Sequence, residues 1–218
     1  MACAYLFHLG YNAVLRSGVR PGSRVLVIGL GVLGLTSVAM AAIAGARVVA
    51  VSGHALPQRL GLEFGASAVL ARSDGGAIRS ALSADLADVV ITTSMDWGDW
   101  QLALQLAGNR ATIACLGFPG RNRPPGEFNP LDSRYFYAKQ LRIEAVGMSA
   151  ERREPRGFLR FNERDNLDYV TALILAGRLK PASLVSGTYP GNHLARAYEA
   201  LLARERSAIT YLLRWAQG

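Results

Sequence analysis

The stretch Gly29-Leu30-Gly31-Val32-Leu33-Gly34 has the residue types and the spacing to hold a pyrophosphate. Such a group is met best by backbone N–H groups, so the chain must turn sharply there and carry few side chains. Gly29 permits the turn, Gly31 lets the backbone approach the phosphates, and Gly34 lets the following helix pack against its strand. Three glycines alone mean little; their flanks give them weight. Val25-Leu26-Val27-Ile28 runs into them, an apolar alanine-rich segment follows to Ala46, and Val48-Val49-Ala50-Val51 comes next. Strand, turn, helix and strand make a βαβ unit, with the positive end of the helix dipole at the glycines.

The rest of the chain supplies the elements around this turn. Apolar spacing predicts a helix over 4–17, stopped by Gly18 and Pro21-Gly22. Strands are expected at 24–28, 48–51, 67–70, 87–92, 111–116 and 141–146. Helices are expected at 32–44, 56–64, 77–82, 100–107 (capped by Gly108-Asn109) and 131–138. Beyond them lie a helix from Asn162 or Asp165 to Ala176, an extended run at 185–189, a helix at 193–204 and a strand at 209–215. Alternation of strands and helices implies an α/β fold, a doubly wound parallel six-stranded Rossmann sheet. Residues 1–23 read as a lead-in helix, 24–150 as the Rossmann domain and 151–218 as a C-terminal helix-strand extension. The glycine- and proline-rich segment 117–130 reads as a functional loop.

Composition narrows the partners. Half of the 218 residues are apolar and 18% are charged, which is a globular balance. The net charge of +8 invites nucleic acid, but the arginines are scattered. Their densest cluster (Arg152, Arg153, Arg156, Arg160, Arg164) is broken by acids. Neither nucleic acid nor membrane is expected as a partner: the uncharged run 25–46 carries three glycines within six residues near its start. Cys3 and Cys115, far apart, leave no disulfide framework, and with no basic-then-apolar leader the cytoplasm is the expected compartment. His8, His54 and His193 are dispersed, so no metal is expected.

Several segments in order resemble the cofactor-binding half of the medium-chain dehydrogenases/reductases, the zinc alcohol dehydrogenase-like group. They are Gly18-Val19-Arg20-Pro21-Gly22-Ser23-Arg24, the glycine fingerprint, Gly45-Ala46-Arg47-Val48, Leu62-Glu63-Phe64-Gly65-Ala66, Cys115-Leu116-Gly117-Phe118-Pro119-Gly120, Gly177-Arg178-Leu179-Lys180-Pro181 and Ala197-Tyr198-Glu199-Ala200-Leu201-Leu202. The resemblance implies a nicotinamide dinucleotide and a small alcohol or carbonyl substrate. Members of that group also carry an N-terminal GroES-like domain with catalytic zinc ligands. That domain is expected to be missing here, its role falling to another subunit or protein partner. Relatives often dimerise through their sixth strands, so a homodimer through 141–146 is expected.

An NAD-preferring fold places an acid at the end of the second strand to hold the ribose hydroxyls. Here that position reads Ser52-Gly53-His54, with no acid before Glu63. NADP is therefore the first choice of cofactor and NAD the second, with Arg59 the stronger cation for a 2′-phosphate and His54 the weaker. Thr93, Ser94, Leu116, Gly117 and Met148 end or follow the fourth, fifth and sixth strands, where ligands lie in such sheets. No catalytic residue is assigned; Tyr135, Tyr137 and Lys139 are better read as core or interface. Three functions stay open: an oxidoreductase; a non-redox cyclase, isomerase, dehydratase or lyase on the same fold; and a cofactor-binding sensor or scaffold.

Overall fold

A computed structural model describes residues 2–117, 128–151, 155–156, 159–203 and 208–215. Six parallel strands form its centre: β1 (Arg24–Ile28), β2 (Arg47–Val51), β3 (Ala68–Leu70), β4 (Ala87–Thr92), β5 (Ala107–Cys115) and β6 (Arg142–Ala145). Their order is β3-β2-β1-β4-β5-β6, the doubly wound Rossmann order. The central strands β1, β2 and β4 are rich in β-branched residues and largely buried on both faces, as inner parallel strands must be. Alternation assigns each residue a face: Val25 and Val27 of β1 enter one core, Leu26 and Ile28 the other.

Helices α1 (Ala4–Ser17), α2 (Val32–Ile43), α3 (Ala55–Glu63) and α6 (Glu163–Leu175) cover the first face through Phe7, Leu35, Leu60 and Val170. Helices α4 (Gly75–Leu82) and α5 (Trp97–Leu106) cover the second through Ile78 and Trp100. Gly18 ends α1 in the left-handed conformation at φ 73°, and Asn162 caps α6 by accepting the Asp165 N–H at 3.0 Å. A separate parallel pair, β7 (Val185–Pro190) and β8 (Thr210–Arg214), flanks α7 (Leu194–Leu202). Strand β8 therefore pairs with β7, while α1 packs on α2 and α6.

Two local expectations are corrected. Residues 131–138 form successive turns instead of a helix. The side chains of Asn129 and Asp132 accept the N–H groups of Leu131 and Arg134, each at 2.9 Å, which competes with a helical start. Gly108 and Asn109 do not cap α5; they already belong to β5, which follows α5 without a loop. There Gly108 sits so close to the Asp85 carbonyl that a side chain would collide with it. Most of the expected loop after Gly117, residues 118–127, lies outside the described residues, as do Arg152, Arg153 and Glu154. Among the described residues no helix is long and apolar enough to cross a membrane.

Candidate nucleotide-binding cleft

The chain leaves β1 at Gly29 with φ +90°, a region that favours glycine. A Cβ at Gly29 would come 2.8 Å from the Thr93 hydroxyl. That hydroxyl donates to the Gly29 carbonyl at 3.0 Å, tying the turn to the end of β4. A Cβ at Gly34 would run into the Gly29 carbonyl oxygen, so α2 packs against the turn only because the side chain is absent. Gly31 differs from both: among the described residues nothing lies within 4 Å of where its Cβ would stand. Gly31 is also the N-cap of α2, where no side chain caps and no acid occupies the first turn. Unpartnered N–H groups at this positive helix end are left for an anion.

An open cleft of about 540 Å³ surrounds this turn. It gathers Gly29–Leu33 with Ser52, Gly53 and His54 beyond β2, and with Thr93 and Ser94 beyond β4. The Ser52 hydroxyl accepts the His54 N–H at 3.3 Å, and the Gln58 amide donates to the Ser52 carbonyl at 2.8 Å. Gly117 packs against the far side of Thr93 and Ser94, where a Cβ would meet the Ser94 carbonyl. Leu116 and Met148 line a second, more apolar cleft of about 270 Å³ with Val146, Gly147 and His8. Leu33 borders both clefts. The wall of the second is pinned by Asn12, whose amide donates to the Gly147 carbonyl at 2.7 Å and whose carbonyl accepts the Ser149 hydroxyl at 3.0 Å. A wider surface groove of about 1120 Å³ runs past Thr188, Gly191 and Trp215, and none of the sequence-predicted site residues reaches it.

Arg59 is not brought to the cleft. It lies on the exposed side of α3, 3.9 Å from Glu63 one turn on. Glu63 in turn accepts the Ser183 hydroxyl at 2.5 Å. The guanidinium that does line the cleft is Arg72, two residues past β3, 2.6 Å from Asp99 on α5. Burial pushes the Asp99 carboxyl above its ordinary pKa, while the Ser94 hydroxyl and Arg72 pull it down. Sequence reasoning missed both. Arg72 was findable as a residue beyond a parallel strand, whereas nothing in the local sequence marks Asp99 as a buried acid. Lys139 is away from the cleft: its amine donates to the carbonyls of Leu104, Gln105 and Ala107, where α5 ends and β5 begins. Tyr135 packs on the second core and Tyr137 is exposed.

Residues 32–164 match the family described as zinc-binding dehydrogenase. The chain belongs to that family. Two curated relatives, from Agrobacterium fabrum and Rhizobium meliloti and provisionally named D-xylulose reductases, are each 27% identical, over 91% and 88% of this chain. The chain spans about half the length of these relatives, 53% and 51%. In fold it is similar to the alcohol dehydrogenase TADH from Thermus sp. ATN1 (TM-score 0.77, 23% identity, 97% of this chain and 56% of that one). It is also similar to the L-idonate 5-dehydrogenase of Escherichia coli K-12 (0.79, 19%, 98% and 56%). An alcohol dehydrogenase of E. coli CFT073 described as complexed with NADH matches too (0.77, 19%, 97% and 58%).

The family description implies zinc and a nicotinamide nucleotide. Among the described residues no three His, Cys, Asp or Glu side chains converge on a point that could hold a metal ion. Those residues do not by themselves form the site zinc needs. The nucleotide fits better: the open flank of Gly31 and the uncapped start of α2 make a cradle for a pyrophosphate.

Proposed function

We propose that this chain binds NADP(H) across the cleft and acts as the nucleotide half of a dehydrogenase for a small alcohol or carbonyl compound. The observation that carries the reading is the glycine turn. Its outer glycines are filled by neighbouring backbone and hydroxyl, while its middle one faces open space at the head of α2. Backbone N–H groups of residues 31–34 would hold the pyrophosphate, Ser52 and Gly53 the adenosine ribose, and Leu33, Leu116 and Met148 would border the nicotinamide. The bound nucleotide supplies hydride transfer. The chain contributes orientation, and the apolar second cleft keeps water from the reactive ring. A polyol and its ketose are the first pair to test, since the curated relatives are named for such a reaction.

NADP is preferred over NAD because, among the described residues that line the cleft, no exposed carboxylate is offered to the ribose diol. Ser52 follows β2, Glu63 is engaged by Ser183 and Arg59, and Asp99 is buried. Calorimetric titration with NADPH and NADH tests this: tighter binding of NADPH is expected. Binding of neither refutes the nucleotide reading and favours a non-redox role. Among the described residues the outer edge of β6 is unpaired, and we propose that two copies join there as a homodimer. Light scattering that finds only monomer across micromolar concentrations would exclude it.

A further inference from the structure

The nucleotide reading leaves open which cation chooses NADP(H), and the sheet itself narrows the choice. Val51 pairs with Leu70, and the Ser52 N–H donates to the Leu70 carbonyl at 3.0 Å. The residues just beyond β2 and β3 therefore lie side by side, and both Ser52 and Arg72 line the cleft. Arg72 is not a loose surface side chain. One of its nitrogens, Nη2, is held 2.6 Å from the Asp99 carboxylate, and Asp99 is itself fully buried at the first turn of α5. The guanidinium side chain is 55% exposed, and its other donors have no partner among the described residues. A fork fixed at one prong and open at the others is preorganised to meet a phosphate bidentately. Asp99 borders the cleft behind Arg72 but has 0% exposure, so it serves the arginine and not the sugar.

We propose that Arg72, oriented by Asp99, takes the 2′-phosphate of NADP(H) and sets the cofactor preference of this chain, with Arg59 contributing nothing. Arg72 is the specificity-determining group and Asp99 its positioning residue. The inference rests on the nucleotide reading of the cleft, and the two are tested apart with adenosine fragments. The full chain is titrated with 2′,5′-ADP and with 5′-AMP, which differ by the 2′-phosphate, and with NADPH and NADH. The parent protein is expected to favour 2′,5′-ADP by roughly 10- to 100-fold, the range for charge-assisted hydrogen bonds. Arg72→Met should bring that ratio to about one while leaving 5′-AMP affinity within about threefold. Arg59→Met should leave it unchanged. Asp99→Asn should lower the ratio several-fold without weakening 5′-AMP, a selectivity change that a merely structural role does not produce.

Three outcomes overturn the inference while sparing the nucleotide site. They are equal loss of both fragments in Arg72→Met, collapse of the ratio in Arg59→Met, and a parent protein that binds both fragments alike. If the parent binds neither fragment and neither dinucleotide, the reading of the cleft falls, and the inference with it.

Discussion

Substituting the middle and the last glycine of the turn should push stability in opposite directions. At Gly31 the backbone is extended, φ −75° and ψ −168°, and the Cβ direction is empty. Gly31→Asp therefore strains nothing, and aspartate is a favoured N-cap beside a helix dipole. The fold should hold or gain up to about 1 kcal/mol, roughly 2–4 °C in Tm for a chain of this length. Binding should fail. A carboxylate about 4 Å from one phosphate charge costs about 4 kcal/mol at an effective dielectric of roughly 20, which is roughly a thousandfold in affinity. At Gly34 the added methyl meets the Gly29 carbonyl, backbone against backbone, with no flexible atom to yield. Overpacking of about 3 kcal/mol, less about 1 kcal/mol of helix propensity gained by alanine, leaves Gly34→Ala about 2 kcal/mol less stable. That corresponds to roughly 4–8 °C. Thermal melts and NADPH calorimetry on both variants read the two effects separately. A Gly31→Asp protein that melts as low as Gly34→Ala, or that binds NADPH within tenfold of the parent, would refute the division of labour between these glycines.

Two further outcomes follow from groups away from the glycine turn. Asn162 is buried, caps α6, and donates from its amide to Asp165 at 2.9 Å; Asn162→Ala should lose about 1–2 kcal/mol, roughly 2–8 °C in a melt. Burial lowers the pKa of His8 below 6.5, with Glu163 opposing, so the unfolded chain takes up a proton before the folded one does. The stability tied to His8 is therefore full above about pH 6.5 and is lost as pH falls toward the folded-state value. Melts from pH 7 to pH 5 should fall less steeply in His8→Gln than in the parent, and equal slopes would remove His8 from the account.

Much of this molecule is decided within short windows of sequence. The β-branched runs 24–28 and 87–92 are strands because branched side chains suit a pleat buried on both faces. The glycine turn and the Gly18 stop are each set by a few neighbouring residues and were legible without the fold, whereas the cap of α6 was legible only as Asn162 or Asp165, and the structure assigns it to Asn162. What failed was decided by partners distant in the chain. Gly108 and Asn109 look like a helix stop, yet they are strand because β5 must run beside β4, against Asp85. Residues 131–138 have a helical composition, but local side-chain turns and the packing of Tyr135 and Phe136 on the second core prevail. The choice between Arg59 and Arg72 is the sharpest case. Arg59 is nearer the fingerprint in sequence, but α3 places it beside Glu63 and out of the cleft. Arg72 reaches the cleft because β3 pairs with β2, and because α5 buries a carboxylate to hold it. Local chemistry specified a turn that can take a phosphate, whereas strand order, a property of the whole sheet, decided which side chains face it.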